Sequence, residues 1–223
     1  MPGDEHSEVG ADFLALLDWK RSIFELYASI RADDVPERAW RRWCAVRDEL
    51  FAGHSQSPLD EARRRDFDGL ELFSYDSRFR VLAEVEPREH IPLAIGASGG
   101  KTITFVRFAR ADFKLEGREL SLDLHWLEGY GGGVFLAFQD ATSDTETYGG
   151  GRYLLDTVKG ADLGGSEGRL VLDFNFAYNP SCSYDARWVC PLAPPANRLA
   201  SAVRAGERHP HRARAAASNL DGA

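Results

Sequence analysis

The apolar residues of this chain change their spacing once, near residue 66, and no other feature limits the possible folds as much. Up to that point they recur at helical intervals over 12–31 and again over 36–53. Beyond it, eight or nine short runs alternate apolar and polar residues between Gly, Pro, Asp and Ser. The intervals are too short for helical crossovers, so the sheet should be mainly antiparallel. We predict an α+β, mainly β fold, with an N-terminal helical pair packed on an antiparallel β-barrel or β-sandwich.

One domain accounts for the pattern. We expect it to cover residues 11–208, with a helical part at 11–66 and an antiparallel β part at 67–208. The acidic start at 1–10 and the tail at 209–223, which has no apolar period, are expected to be disordered. The predicted strands lie at 70–76, 78–86, 91–96, 102–117, 120–128, 133–140, 152–156, 169–176 and 199–206.

Charge and composition argue against several classes of function. The chain has 27 Lys and Arg against 35 Asp and Glu, a net charge of −8, whereas a nucleic-acid surface needs clustered positive charge. No apolar run approaches the roughly 18–20 residues that span a bilayer, and the start lacks the features of a secretory signal. We expect a cytoplasmic protein that binds neither nucleic acid nor membrane. Composition indicates neither a cofactor nor an oligomeric state.

The stretch "GASGGKT" at 96–102 contains parts of two motifs without the context of either. It has three residues between Gly96 and Gly100, where a phosphate-binding loop has four, and the following "ITFVRF" is typical of a strand. A serine nucleophile in a G-x-S-x-G elbow also requires a following helix. We interpret the stretch as a hairpin turn.

The stretch "TYGGGRY" at 147–153 is a candidate pocket rim. Three consecutive glycines permit backbone angles that other residues avoid and let a ligand approach the chain closely. Polar side chains surround this turn, and loops on rigid scaffolds often carry binding sites. The candidate ligand-binding residues are Asp140, Tyr148, Gly149, Gly150 and Gly151, with Arg152 as a group that could hold an anion.

One acidic and one amide side chain share a face of the predicted strand in "LVLDFNFAYNP". Strand alternation places Asp173 and Asn175 opposite the face formed by the leucines and phenylalanines. If that face is buried, the carboxylate needs a partner, which Arg152 or Arg198 could supply. Asp173 is therefore a candidate general base.

Two histidines have contrasting contexts. His54 follows the second predicted helix in a polar connection, so it is the other candidate general base and a candidate metal ligand. His125 lies in "LSLDLHWLE", where alternation predicts that it faces solvent.

The three cysteines are too few, and too odd in number, for a secreted disulfide framework. Seven residues separate Cys182 from Cys190, which is not the spacing of a C-x-x-C metal or redox motif. A metal site would need His54 or another distant ligand to join them. If "SCSYDARWVC" is a hairpin, the cysteines face each other as a disulfide or as two buried thiols, and Tyr184 pairs with Trp188 across the strands.

Several of these sequence motifs resemble those of a known family, both in their residues and in their order along the chain. "HSQSPLD", "TYGGGRYL", "DFNFAYNPSCSYDARWVCPLAPPANRL" and the closing "AGER" are similar to an uncharacterised prokaryotic family catalogued as domain of unknown function 1684, over about residues 15–208. The chain departs from it at Ser55, where Pro is usual, at Asp144, which replaces Gly, and at Ala193 and Ala196, which replace more Pro-like and Glu-like residues.

The resemblance implies marked positions but no activity. These positions are Asp140, Tyr148, Gly149, Gly150, Gly151, Arg152, Asp173, Asn175, Tyr178, Asn179, Cys182, Tyr184, Cys190 and Asn197. Five of them are further candidate ligand-binding residues: Asn175, Tyr178, Asn179, Tyr184 and Asn197.

Three functional hypotheses follow. The first is a small-ligand-binding protein or enzyme with a pocket between the "TYGGGRY" loop and the "DFNFAYNP" strand, with His54 near its mouth. The second is a metal or thiol-redox protein that uses Cys182 and Cys190. The third is a structural or interaction module in which the proline-rich segment exposes Tyr184 and Trp188.

Overall fold

The structure, a computed structural model, describes residues 4–210. Its three α-helices are α1 (Asp4–Arg31), α2 (Pro36–Gly53) and α3 (Glu61–Arg65). Thus α1 begins ahead of the helix predicted from residue 12. Residues 1–3 of the predicted disordered start and 211–223 of the predicted disordered tail lie outside the described residues.

The start of α2 shows a local reason for the turn between the first two helices. Pro36 occupies the first turn of α2, where its missing amide hydrogen costs nothing. Asp33 does not cap this helix, whose N-cap residue is Val35. Its carboxylate instead accepts from the Val35 amide at 2.9 Å and from Arg38 at 2.7 Å, and this fixes the entry to α2.

Seven strands form one antiparallel sheet in the order β5-β4-β3-β2-β1-β7-β6. The sheet is not closed, because the outer strands β5 and β6 do not pair with each other. The predicted class, a mainly β fold with an N-terminal helical pair, is confirmed. The strands are β1 (Arg80–Gly96), β2 (Thr102–Leu115), β3 (Arg118–Leu127), β4 (Gly133–Phe138), β5 (Arg152–Asp156), β6 (Gly165–Ser166) and β7 (Arg169–Asp173).

Several predicted strands take a different form. The runs at 78–86 and 91–96 join into β1, which pairs with β2 through a register shift between Pro87 and Ile91. The predicted strands at 70–76 and 199–206 do not form, because neither segment belongs to a strand of the sheet. The predicted strand at 169–176 ends at Asp173. The Asp173 carboxylate accepts from the Asn175 amide there and starts a 3-10 turn at Phe174–Phe176.

The helical pair has its own core against the end of the sheet. Trp43 of α2 is fully buried, and its ring meets Phe176 at 5.5 Å between centroids. Ile30 of α1 belongs to the same cluster, together with Ala161 and Leu163 from the connection after β5. The larger core lies on one face of the sheet, between β1–β5, β7 and the segment at 199–205.

His125 is buried, contrary to the prediction that it faces solvent. It lies opposite Phe135 in the β3–β4 pairing, so the two side chains share a face of the sheet. A second apolar cluster, which includes Phe105, Phe135 and Tyr153, covers that face. Its neighbour Trp126 is 44% exposed, so alternation along β3 does not separate core from solvent at this point.

None of the helices within residues 4–210 is long and apolar enough to cross a membrane.

Candidate functional site

Three segments that are distant in sequence meet around the thiols of Cys182 and Cys190. The Tyr148 hydroxyl oxygen lies 3.8 Å from Cys182 Sγ, and the Cys190 thiol and the Ser98 hydroxyl are close enough to lower the pKa of Cys182. The Cys190 amide donates to Ser98 Oγ at 2.9 Å, and the Ser98 amide donates to the Cys190 carbonyl at 3.0 Å. The "GASGGKT" turn, which joins β1 to β2 as predicted, therefore helps to hold the thiol pair.

The segment that carries the cysteines is not the predicted hairpin. A 3-10 turn at Ser181–Ser183 precedes Tyr184, and the Trp188 amide then donates to the Asp185 carbonyl at 3.2 Å. Tyr184 does not pair with Trp188, because its ring packs against Phe51 of α2 at 5.0 Å between centroids. Consecutive turns, rather than strand pairing, bring the cysteines together.

The two thiols differ in charge preference and in exposure. The hydrogen bond from Cys190, partly opposed by burial, lowers the pKa of Cys182 to about 6; Ser98 and Tyr148 act in the same direction. That hydrogen bond and burial both raise the pKa of Cys190. Cys182 is half-buried and Cys190 is buried. Cys182 therefore favours the thiolate form more strongly than Cys190 does, and it is the more accessible of the two.

The glycines of "TYGGGRY" shape the wall of this cluster. A Cβ atom on Gly150 would lie 2.4 Å from the Tyr148 ring, and Gly151 has a φ of +92°, which favours glycine. Gly149 contributes its carbonyl oxygen, which accepts from Gln139 at 2.5 Å. The glycines thus place the Tyr148 ring close to the chain and direct its hydroxyl towards Cys182.

Arg152, the candidate anion holder, already has an anion inside the protein. It forms a fully buried ion pair with Asp140 at 2.6 Å. Its guanidinium also donates to the carbonyls of Val203, Ala205 and Glu207. Arg152 thus bonds to three backbone carbonyls of the segment 203–207, which belongs to none of the strands of the sheet.

A second buried polar cluster is centred on the carboxylate of Glu207. The sequence did not single out this residue as a site residue. Its carboxylate pairs with Arg47 of α2, accepts from the Asn179 amide at 2.7 Å and accepts from the Tyr184 hydroxyl at 2.8 Å. Burial by itself would lower the pKa of Arg47, but Glu207, Tyr184 and Tyr27 together outweigh it and the pKa is raised. Tyr178 also faces the Arg47 guanidinium, at 5.0 Å.

Asp173 lies in a third environment, under the helical pair. Its Oδ1 accepts from the Asn175 amide at 3.0 Å and side chain at 2.8 Å. Its buried Oδ2 has no hydrogen-bond partner among the described residues. The nearest cation is Arg80 at 3.6 Å, not Arg152 or Arg198 as predicted. Burial, opposed by the bonds from Asn175 and by Arg80, raises the pKa of Asp173 to about 6.

A cleft of about 60 Å³ adjoins Asp173. Residues from α1, α2, β1 and β7 line it, and none of the residues 147–153 does. The "TYGGGRY" loop and the segment after Asp173 instead contact each other directly, because Tyr153 and Tyr178 exchange backbone hydrogen bonds of 2.8 and 3.0 Å. The cleft is thus in a different place from the pocket predicted between these segments.

His54 lies apart from these clusters. Its Nδ1 accepts from the Gln56 amide at 3.0 Å, its Nε2 lies 3.4 Å from Asp18, and its ring meets Trp19 edge-on. All of these partners belong to the helical part, so the structure does not place His54 with the cysteines. Between residues 12 and 210, no group of three or more metal-binding side chains converges.

Comparison with known proteins assigns a family to this arrangement. The model of the family described as "Protein of unknown function (DUF1684)" matches residues 65–208. The chain belongs to the DUF1684 family. The solution NMR structure of an uncharacterized protein from Haloarcula marismortui is 34% identical and superimposes with a TM-score of 0.56, covering 77% of this chain and 95% of that one. No functionally curated protein matches.

The DUF1684 match includes the thiol cluster, the Arg152 pair, Asp173 and Glu207, but it begins after α2. The helical pair, with Arg47 and His54, therefore lies outside the family model, although the resemblance predicted a start near residue 15. The "AGER" word at 205–208 contains Glu207 and was the signal that could have identified it.

Asn197, another marked position of the DUF1684 region, has a role in holding the sheet. Its Nδ2 donates to the carbonyls of Asp123 at 2.9 Å and Ala137 at 3.0 Å, and its Oδ1 accepts from the Asp123 amide at 2.8 Å. Both ends of the side-chain amide are thus used by the backbone, which leaves little capacity to bind a ligand.

Proposed function

We propose that this protein is a thiol-redox protein in which Cys182 and Cys190 alternate between two thiols and one disulfide. The observation that carries the proposal is the contact between the thiols, one half-exposed with a lowered pKa and one buried with a raised pKa. Such asymmetry suits an attacking thiol and a resolving thiol. In the reducing cytoplasm expected from the sequence, the pair would rest as two thiols.

The reaction is a thiol–disulfide exchange with a small disulfide as the oxidant. The Cys182 thiolate attacks one sulfur of that disulfide, forms a mixed disulfide and releases one thiolate. Cys190 then loses its proton and attacks Cys182 Sγ, which closes the internal disulfide and releases the second thiolate. The protons of the two cysteines balance the two released thiols, and the substrate disulfide is reduced by two electrons.

Tyr148 and Ser98 support the first step in this proposal. Both hydroxyls lower the pKa of Cys182 and therefore favour its thiolate. In the structure the Ser98 hydroxyl donates its one proton to the Trp188 carbonyl at 2.8 Å. Rotation of that proton lets Ser98 follow the charge of Cys182 without a change in the backbone.

The other two hypotheses receive less support from the geometry. His54, Arg152 and Asp173 have separate sets of partners, so they do not form one site for acid–base chemistry. The interaction module required an exposed Tyr184, which is 5% exposed.

The test uses glutathione disulfide and single-cysteine variants, all in a Cys44→Ser background. We expect Cys190→Ser to trap one glutathione on Cys182, because the resolving thiol is missing. We expect the Cys44→Ser parent to form the internal disulfide and to release the glutathione. Cys182→Ser should react at least tenfold more slowly than Cys190→Ser, since Cys190 is buried and protonated. Intact-protein mass spectrometry distinguishes these products.

Two outcomes would overturn the proposal. One is equal reaction rates for Cys182→Ser and Cys190→Ser in folded protein. The other is a parent protein that accumulates glutathione adducts without an internal disulfide.

A further inference from the structure

The cleft beside Asp173 is separate from the thiol cluster and has the features of a binding site. It measures about 60 Å³ and lies where the end of α1 and the start of α2 meet β1 and β7. Asp173 is 1% exposed and carries a buried Oδ2 that makes no hydrogen bond among the described residues. Buried polar atoms are nearly always paired, so this oxygen indicates a partner from outside the chain.

The cations around the cleft favour an anion. Arg80 lies 3.6 Å from Asp173 Oδ2, too far for a hydrogen bond. Arg31 also lines the cleft, and its guanidinium donates to the Asp162 carbonyl at 2.7 Å. The cleft includes Pro36, so it meets the positive end of the α2 dipole. Asp33 opposes this field only weakly, because it is paired with Arg38 and Arg42.

The remaining wall is apolar and the space is small. Ile30, Leu163, Val171 and Phe176 line it. A water molecule occupies about 30 Å³ in the liquid, and a cavity of about 150 Å³ is needed for benzene. The cleft therefore suits a molecule of a few non-hydrogen atoms with one charged end and one short aliphatic end.

We propose that the cleft binds a small aliphatic monocarboxylate, of acetate or propionate size, with its carboxylate between Arg80 and a protonated Asp173. Arg80 pairs with the carboxylate, Asp173 donates its proton to it in a hydrogen bond, and the aliphatic end contacts Leu163 and Val171. No covalent bond changes. One proton is taken up on binding whenever Asp173 starts ionised.

The pH dependence follows from the groups that face Asp173. These are Arg80 from β1, Arg31 and Asp33 from the end of α1 and the following turn, and Tyr75 from the segment before β1. Burial raises the pKa of Asp173 to about 6, opposed by the hydrogen bonds from Asn175 and by Arg80. Since the bound state needs the proton, affinity falls as the pH rises through that value.

The test is a titration of isotope-labelled protein with sodium acetate, followed by the methyl NMR signals of Ile30, Leu163 and Val171. Such a small ligand is expected to bind no more tightly than roughly 0.1 mM. We expect saturable shifts at pH 5.5 and a roughly 20-fold weaker affinity at pH 7.5, from the change in protonated Asp173.

Two variants separate the roles of the charged groups. Asp173→Asn keeps a side-chain donor without a titratable proton, so it should still bind acetate but lose most of the pH dependence. Arg80→Gln should weaken binding at least tenfold at pH 5.5. Arg78→Gln is the matched control, because Arg78 is exposed and does not line the cleft, and it should bind as the parent does.

The proposal is wrong if acetate gives no saturable shift at pH 5.5 in a protein whose spectrum shows a folded domain. It is also wrong if methylammonium binds in place of acetate and more tightly at pH 7.5, because the cleft would then hold a cation on ionised Asp173. A pH dependence that persists in Asp173→Asn would likewise contradict it.

Discussion

In this protein a single side chain can supply hydrogen bonds that the backbone of a neighbouring strand would otherwise supply. Arg152 is the main example, since one buried guanidinium binds Asp140 and three carbonyls of the segment 203–207. A residue proposed from sequence as a ligand holder therefore has a structural role that accounts for its burial. Among the paired thiols, Cys182 is the more accessible, because it is half-buried whereas Cys190 is buried.

The substitution Arg152→Met tests this role. It leaves the Asp140 carboxylate and three carbonyls buried without their donor, so we expect the free energy of unfolding to fall by about 3–5 kcal/mol. Urea denaturation followed by fluorescence measures it. Arg198→Met is the control, because Arg198 is exposed and its contact with Gln139 is 3.3 Å long; it should change stability by about 0.5 kcal/mol or less. Equal losses in both variants would contradict the assigned role.

The lowered pKa of Cys182 should also appear in the pH dependence of its alkylation rate. Because its pKa is lowered to about 6, its alkylation rate in folded protein should level off above about pH 7 and fall below pH 6. Cys44 is an internal control, since burial raises its pKa to about 12 and it should stay unmodified over this range. Iodoacetamide labelling with peptide mass spectrometry separates the two sites. A rate for Cys182 that keeps rising to pH 9 would show an ordinary thiol.

At the scale of elements, the class and order of helices and strands follow from sequence patterns, whereas two features do not. The merger of two runs into β1 depends on the register shift near Pro87, which alternation does not reveal. The irregular segment 199–206 depends on Arg152, a residue distant in sequence. The thiol contact was predicted only on condition of a hairpin, and turns around Tyr184 bring it about instead.

The glycine loop at 149–151 leaves little room for side chains. In Gly150→Ala the new Cβ would lie 2.4 Å from the Tyr148 ring, so the ring must move away from Cys182. We expect the pKa of Cys182 to rise and its alkylation at pH 6.5 to slow, as the hydrogen bond from Tyr148 is lost. Gly53→Ala meets nothing within 4 Å and should leave the rate unchanged. An unchanged rate in Gly150→Ala would mean that Tyr148 does not influence the thiol.

At the scale of the whole molecule, a buried ion pair joins the helical pair to the family domain. Arg47 of α2 contacts Glu207 beyond the last strand, and both are nearly inaccessible to solvent. This long-range contact, between Arg47 ahead of the DUF1684 match and Glu207 near its end, could not be read from local patterns. It predicts that the helices and the sheet unfold together.

Glu207→Gln should therefore weaken the whole fold. It leaves the Arg47 charge buried with a weaker partner, and we expect a loss of about 3–5 kcal/mol in the free energy of unfolding. Helical circular dichroism and tryptophan fluorescence should change at the same urea concentration in the parent. The control is Glu146→Gln, which breaks the exposed pair with Arg204 and should cost about 1 kcal/mol or less. Separate transitions in the parent would show that the helical pair folds independently.

The thiol pair as a redox unit is the central claim, and an equilibrium redox titration tests it most directly. Folded Cys44→Ser protein is equilibrated with mixtures of reduced and oxidised dithiothreitol, quenched in acid and mapped by mass spectrometry. The account predicts one two-electron transition in which Cys182 and Cys190 become linked to each other, reversibly and without loss of the folded spectrum. Two cysteines that stay reduced at every ratio, or that link only in unfolded protein, would contradict it.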